Sequence, residues 1–332
     1  MKSKFQSDPT IPIFFTSLLI SILGCETIAV AQPVNNSGIV LREGVVIEQN
    51  RKELYIINPD NKMEAISLTT GQTLWSTGDK IKPLTLVNGK LICQAISPGR
   101  QNEFAIVALD LTQNGRIISR NTIQLPDNVN TDYRQTGNSY FSIQTRVING
   151  QAYFSWEYNY IPLRGIFEEE SINKDKNEII KQSGAFKIDN NSGKLNSINK
   201  EQLPNNFLSQ SIVLDQQNRI PNIKTLQFVS KDEKYAMASN KVAEDIVFNT
   251  YQWEIYERAS GSKVGQILDY RSYAPFYVSG NTIIYEIGPY VRALKDGIEE
   301  VPLKIVAVDL ETGKVLWSKE ILDTIYRGPL PS

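Results

Sequence analysis

Two short stretches near opposite ends of the chain follow one pattern. Residues 65–75 read AISLTTGQTLW and residues 307–317 read AVDLETGKVLW, so Ala, Thr-Gly and Trp recur at the same offsets. Each stretch is an alternating apolar strand, a tight turn at glycine and a second strand that ends in tryptophan. Such a hairpin cannot bury its apolar faces alone, so copies of it must pack against one another. The pattern predicts an all-β propeller or solenoid.

Between these stretches the same unit recurs in weaker form. Each copy reads as four strands, which we call A, B, C and D, with tight turns between A and B and between C and D. Asn-Gly pairs at 88–89 and 149–150 mark two of the A–B turns, because both residue types tolerate positive φ. We therefore predict a five-bladed β-propeller of four-stranded antiparallel blades over residues 44–322. The predicted blades are about 44–77, 83–125, 139–199, 223–268 and 275–321, after a lead-in at 32–43 and before a tail at 323–332.

A small set of glycines and strand residues defines the repeated unit. A glycine in each C–D turn supplies the left-handed backbone position that closes the hairpin without a Cβ clash. Each tryptophan is a large apolar body that can wedge between neighbouring sheets. The residues of this structural blade motif are Ala65, Gly71, Trp75, Gly115, Gly193, Gly261, Ala307, Asp309, Gly313 and Trp317.

These units resemble the quinoprotein-like, or pyrroloquinoline-quinone-type, β-propeller repeat. Its tryptophan-docking motif has Ala, Asp two residues later, Thr-Gly, and Trp four residues after the Gly. The last copy matches throughout, the first has Ser67 in place of Asp, and the middle three have Ser or Gly in place of Trp. The resemblance implies the fold and a structural role for the motif. Enzymes of that family resemble an eight-bladed disc with quinone, calcium and a vicinal cysteine pair. This chain has no adjacent cysteines, so we expect a non-enzymatic branch without cofactor.

Composition excludes several classes of function. The 332 residues include no histidine, which removes Ser-His-Asp and Cys-His catalysis and histidine-containing zinc sites. The 35 basic and 36 acidic residues give a net charge of -1. A chain so close to neutral lacks the basic footprint of a nucleic-acid-binding protein. We expect no nucleic acid among its partners and no metal site.

The first 31 residues have the features of an export signal. A basic start, an apolar stretch at 11–23 and Ala-Val-Ala at 29–31 precede a cleavage position at Gln32. The same region contains Ile-Leu-Gly-Cys, which resembles a bacterial lipoprotein box and would make Cys25 a lipidated N-terminus. We predict a periplasmic or extracellular protein, and membrane contact only if Cys25 carries lipid. The alternative of a retained membrane anchor is disfavoured because the apolar stretch is short.

Most of the surplus chain length lies in the B–C and D–A connections. Antiparallel strands place these connections on one face of a propeller and the short turns on the other. Long loops on a rigid scaffold are common binding sites, although insertions in surface loops also cost little free energy. Tyrosine and arginine are typical of interface hot spots, but the same side chains could pack the loops against the disc. The candidate interface residues are Tyr160, Tyr270, Arg271, Tyr273, Tyr290 and Arg292.

Catalysis would need reactive side chains in addition to the candidate interface residues. Some five-bladed propellers are glycosidases that use a pair of carboxylates, yet the predicted A strands carry only Glu48. We therefore expect a non-catalytic binding or scaffold module with an unidentified envelope protein or glycan as partner. The alternative is a glycan-binding or glycan-cleaving propeller, which a central pocket lined by two carboxylates and aromatic side chains would favour.

The two versions of the N-terminal processing differ in mass. Cleavage before Gln32 leaves an unmodified chain, whereas lipoprotein processing leaves a chain that begins at Cys25 and carries acyl groups. We expect the intact mass of the exported protein to correspond to a chain beginning at Gln32. A mass that matches lipidated Cys25 would contradict this, and a Cys25→Ser variant should leave the mature mass unchanged.

Overall fold

The computed structural model describes residues 38–96, 101–132, 139–160, 180–189, 194–207, 212–244, 249–294 and 297–323. The chain divides into two units, Met1–Val34 and Asn35–Ser332, and the described residues belong to the second. The predicted signal peptide at 1–31, Cys25, Gly193 and the tail beyond Asp323 lie outside the described residues. The helical content described consists of 3-10 turns at Leu111–Gln113 and Lys200–Gln202.

The described chain is all-β, and each sheet is antiparallel with its strands in chain order. Sheet 1 contains β1 (Ile39–Arg42), β2 (Val45–Glu48), β3 (Glu53–Ile57), β4 (Met63–Ser67) and β5 (Thr73–Ser76). Sheet 2 contains β6 (Ile81–Val87), β7 (Lys90–Ala95), β8 (Glu103–Asp110) and β9 (Arg116–Gln124). Sheet 3 contains β10 (Ser139–Ile148), β11 (Gln151–Tyr160), β12 (Ile180–Ile188) and β13 (Leu195–Ile198).

The second half of the chain repeats this arrangement with one insertion. Sheet 4 contains β14 (Gln227–Val229), β15 (Tyr235–Glu244), β16 (Asn249–Glu257) and β17 (Lys263–Asp269). Sheet 5 contains β18 (Phe276–Ser279), β19 (Thr282–Ile287), β22 (Lys304–Asp309) and β23 (Val315–Glu320). Between β19 and β22 the chain forms a separate hairpin from β20 (Tyr290–Leu294) and β21 (Gly297–Val301).

Sheet 1 has one strand more than the sequence pattern predicted. The lead-in forms β1, which pairs with β2 in the register Val40↔Val46. A tight turn joins the two strands, and Gly44 adopts φ 81° there. Leu41 is fully buried in the core between sheets 5 and 1, so burial of its apolar side chains explains why the lead-in becomes a strand.

Neighbouring sheets share apolar cores. Val46 and Tyr55 of sheet 1 pack with Leu86 of sheet 2, and further cores join sheet 2 to sheet 3 and sheet 4 to sheet 5. Sheet 5 packs back against sheet 1, where Ile305 belongs to one cluster with Ile56. Within the described ranges no apolar cluster joins sheets 3 and 4. Instead Leu214 and Ile220, from the connection between them, pack on Ala236 of sheet 4.

The tryptophan of one sheet lies over the turn glycine of the next. Trp317 of sheet 5 covers Gly71 of sheet 1, where an added Cβ would lie 2.5 Å from the indole Cγ. Trp75 of sheet 1 covers Gly115 of sheet 2 in the same way, with 2.2 Å to the ring atom Cζ3. Trp317 Nε1 also donates a hydrogen bond to Leu68 O at 2.9 Å. The motif is therefore an inter-sheet contact.

Where the tryptophan is missing, the turn glycine has no such neighbour. Gly261 of sheet 4 has only the Ile220 side chain nearby, at 3.8 Å, and Gly313 of sheet 5 has open space around its Cα. At the tryptophan position of sheet 4, Gly265 lets Leu310 of sheet 5 approach so closely that a Cβ would lie 2.5 Å from Leu310 O. Close backbone packing thus replaces the indole at this seam.

The two glycines Gly71 and Gly313 provide a matched test of the docking contact. Both adopt nearly the same positive φ, 69° and 68°, so alanine at either position carries a similar backbone penalty of about 1–2 kcal/mol. Only at Gly71 does the new methyl group collide with an indole, which should add about 1–3 kcal/mol of overpacking. We expect urea unfolding to give a larger loss of stability for Gly71→Ala than for Gly313→Ala. Equal losses would show that the indole contact contributes nothing.

Candidate functional site

The described turns and connections differ in length at the two edges of the sheets. The A–B turns at 88–89, 149–150 and 280–281 occupy two residues each, and the fully described C–D turns at 68–72, 111–115, 258–262 and 310–314 occupy five residues each. The opposite edges carry the β20–β21 hairpin, the segment at 199–226 and the segment at 270–275. Residues 161–179, the longest predicted B–C loop, lie outside the described residues. We call the edge with these connections the long-connection face.

The segment between β17 and β18 is fixed by two of the candidate interface residues. Arg271 donates from its backbone N–H and from Nε to Asp269 Oδ1, at 2.9 and 3.0 Å. The ring of Tyr273 stacks on Phe228 with 4.6 Å between centroids, and burial raises the pKa of Tyr273 to about 12. Arg271 and Tyr273 therefore hold this connection against sheets 4 and 5.

Two of the candidate interface residues, Arg271 and Tyr290, lie near the buried side chain of Tyr285. The Arg271 guanidinium carbon lies 5.7 Å from the Tyr285 ring centroid, within the range of a cation–π contact. Burial, with the nearby Asp269 carboxylate and Tyr290, raises the pKa of Tyr285. Tyr290 begins β20, and Arg292 of the same strand lies opposite Glu299 in the hairpin register. Arg271, Tyr290 and Tyr285 thus meet near the start of the inserted hairpin.

Two of the candidate tyrosines are largely exposed. Tyr270 keeps 48% of its surface accessible and Tyr160, the last residue of β11, keeps 37%. Along the same strand Trp156 and Tyr158 are each 5% exposed and belong to the core between sheets 2 and 3. Tyr160 is therefore exposed at the end of a strand whose aromatic side chains Trp156 and Tyr158 are buried.

A cavity of about 840 Å³ lies between sheets 1, 2, 3 and 4, and we call it the inter-sheet cavity. Its wall is formed by the first strand of sheets 1, 2 and 3 and by the first turn of sheet 4. Phe207 is the aromatic side chain of its lining. The charged residues of the lining are Arg42, Glu43, Arg146, Lys231, Asp232, Glu233 and Lys234.

Buried ion pairs stand beside the inter-sheet cavity. Lys82 of β6 is fully buried and pairs with Glu43 of the β1–β2 turn, and its burial lowers the pKa of Lys82. Arg42, with 4% of its side chain exposed, lies 3.0 Å from a carboxylate oxygen of Glu286 and 3.2 Å from one of Asp323. These contacts tie sheet 1 to sheets 2 and 5 through charge.

The sequence pattern missed Arg42 and Glu43 as lining residues. The prediction took β2 as the first strand of its blade, so it counted Glu48 as the single carboxylate available to the centre. The structure places β1 at the edge of sheet 1, and Glu43 lines the cavity in place of Glu48. The Glu43-Gly44 pair between apolar runs is a weaker hairpin signal than Asn88-Gly89, because only its glycine adopts a positive φ.

Two of the cavity carboxylates, those of Glu43 and Asp232, serve contacts within the protein. Glu43 pairs with Lys82. Asp232 Oδ1 accepts hydrogen bonds from Ser230 Oγ at 2.6 Å and from Lys234 N at 3.3 Å. No group of three or more Cys, Asp or Glu side chains in the described ranges is spaced to hold a metal ion. No helix formed by these residues has the length and apolar character of a membrane span.

Comparison with solved structures gives distant similarities. The chain is similar to the Dos1 propeller, with 10% identity, a TM-score of 0.24 and coverage of 81% of this chain and 55% of that one. It thus spans about half the length of the Dos1 chain. It is also similar to an uncharacterized Listeria monocytogenes protein (10% identity, TM-score 0.30, coverage 85% and 82%). A third is Saccharomyces cerevisiae Sqt1 (7% identity, TM-score 0.28, coverage 82% and 83%). No protein-family model and no curated protein matches the chain.

The Lys82–Glu43 pair yields a stability prediction. Glu43→Gln leaves a fully buried ammonium without its counter-charge, and removing one partner of a buried pair costs about 3–5 kcal/mol. Since burial holds the pKa of Lys82 below its unfolded value, the unfolded state binds more protons between the two pKa values. The unfolding free energy of Glu43→Gln should therefore rise with pH through that interval.

The control is Glu320→Gln, which breaks the pair with Lys304. Those groups are 3.7 Å apart and 52% and 31% exposed, so the loss should stay below about 1 kcal/mol. Urea unfolding at several pH values measures both variants. A loss in Glu43→Gln no larger than in Glu320→Gln would contradict the assigned role of the pair.

Proposed function

We propose that the five sheets are the blades of a five-bladed β-propeller and that the protein is a non-catalytic binding module. Apolar cores between successive sheets support the ring, as does the return of sheet 5 to sheet 1 through Trp317 and Gly71. In this arrangement the inter-sheet cavity corresponds to the central channel. The seam between sheets 3 and 4 is bridged by the connection that carries Ile220.

The partner binds on the long-connection face. The observation that carries this proposal is the one-sided distribution of chain length, because insertions without a role would fall on both edges. Arg271 and Tyr273 hold one connection rigidly against the sheets, and the neighbouring Tyr270 remains 48% exposed. A rigid support with an exposed aromatic side chain is a favourable arrangement for a binding hot spot.

We also propose that the protein is exported. The charged start, apolar stretch and Ala-Val-Ala of residues 1–31 support transfer out of the cytoplasm, to a periplasmic or extracellular location. The blade motif supports assignment to the quinoprotein-like repeat family, in a branch that keeps the docking tryptophans as structure. The partner is a protein of the envelope.

The alternative of a glycan-binding or glycan-cleaving propeller draws on the inter-sheet cavity. Its lining includes the carboxylates of Glu43, Asp232 and Glu233, but Phe207 is the one aromatic residue among the described residues that line it. Sugar-binding clefts stack rings on aromatic surfaces, and glycosidases need two carboxylates available to substrate. Since Glu43 and Asp232 already serve internal contacts, a protein partner on the long-connection face is the better-supported function.

Site-specific photo-crosslinking tests the proposed face. A photoreactive phenylalanine analogue replaces Tyr160 or Tyr270 on the long-connection face, and Glu311 in the C–D turn of sheet 5 serves as the opposite-edge control. We expect illumination of cells from the source organism to give one shared adduct from the two tyrosine positions and none from Glu311. The same adduct from Glu311, or none from either tyrosine, would contradict the proposed face.

A second set of variants tests the contribution of Tyr270. With the photoreactive group at position 160, Tyr270→Ala should reduce the adduct about tenfold or more, because truncation of a hot-spot tyrosine costs about 2 kcal/mol. Tyr153→Ala is the matched control, since Tyr153 lies at the other end of β11, next to the Asn149-Gly150 turn. Equal losses in the two variants would indicate a general defect of the fold.

A further inference from the structure

Lys231 is a half-buried cation on the wall of the inter-sheet cavity. It follows β14, and its backbone N–H donates to Phe276 O at 2.9 Å, which fixes the residue at the seam between sheets 4 and 5. Among the described residues no hydrogen bond or ion pair involves its ammonium group. Burial lowers the pKa of Lys231, and Glu286 acts on it as a more distant negative charge.

Three nearby carboxylates contact other cations. Glu286 is 3.0 Å from Arg42, and Glu43 pairs with Lys82. Asp232, although next to Lys231 in sequence, turns towards Ser230 and Lys234. Lys231 therefore lines the cavity, and its ammonium group forms no ion pair with a carboxylate in the described structure.

Arg146 of β10 adds a second positive group to the same wall. Its Nη1 donates to the carbonyl oxygens of Asn206 and Phe207, which holds the side chain in place. No described carboxylate forms an ion pair with it. A guanidinium that is fixed by neutral carbonyl groups keeps its full charge for an anion.

We propose that the inter-sheet cavity binds a small organic carboxylate, with Lys231 as its ion-pair partner and Arg146 as a second donor. The volume of about 840 Å³ lies in the range of small-molecule sites. A carboxylate would supply the ion-pair partner that the half-buried ammonium lacks among the described residues, and charge-assisted hydrogen bonds are the strong ones. This site is separate from the partner face proposed above, so either proposal can fail without the other.

Isothermal titration calorimetry of the mature chain tests the site with galacturonate and galactose. These two sugars have the same ring, and galacturonate carries a carboxylate where galactose carries a hydroxymethyl group. Citrate serves as a second carboxylate probe. We expect galacturonate or citrate to bind and galactose to give no heat of binding at the same concentrations.

Three variants test which side chains bind the carboxylate. Lys231→Met and Arg146→Gln should each weaken carboxylate binding about tenfold or more, the effect of losing one charge-assisted contact. Lys314→Met, in the exposed C–D turn of sheet 5, should bind as the wild type does, and urea unfolding verifies that each variant is folded. The proposal is overturned if neither carboxylate binds, if galactose binds as well as galacturonate, or if the two cavity variants retain full affinity.

Discussion

The contact between Trp317 and Gly71 joins the last sheet of the chain to the first, within an apolar core that the two sheets share. The indole occupies the space where any other residue at position 71 would carry a Cβ. The same glycine needs positive φ to close its own hairpin, so one residue meets a local and a long-range requirement. Trp75 and Gly115 repeat the arrangement one sheet further on.

Where no tryptophan docks between neighbouring sheets, other residues form the contact. Between sheets 4 and 5, Gly265 admits Leu310, and Trp253 donates through Nε1 to Arg271 O at 2.7 Å. Between sheets 3 and 4, the connection packs Leu214 and Ile220 on Ala236 of sheet 4, and its Asn206 and Phe207 carbonyl oxygens accept hydrogen bonds from Arg146 of sheet 3. At these two seams, different local contacts replace the docking tryptophan, so the sheets persist although the sequence repeat decays.

Polar contacts near the inter-sheet cavity fix the sheets in a second way. The pairs Lys82–Glu43 and Arg42–Glu286 join sheet 1 to sheets 2 and 5. A buried pair adds less to stability than to specificity, because its desolvation offsets much of the Coulomb attraction. Lys231 differs from these groups because no described carboxylate pairs with it. The cavity lining therefore combines paired structural charges with Lys231 and Arg146, two cations that form no ion pair with a described carboxylate.

The sequence by itself determined the repeated four-strand units, their turns and the motif, because alternating apolar residues and positive-φ glycines act over a few neighbouring positions. It indicated Tyr270 and Tyr160 as candidates, but it could not separate them from Arg271 and Tyr273, whose contacts come from distant strands. Only the tertiary structure decided that residues 39–42 form an extra strand and bring Arg42 and Glu43 to the cavity. Ion-pair partners such as Lys82 and Glu43 are 39 residues apart, and no local pattern specifies such a distance.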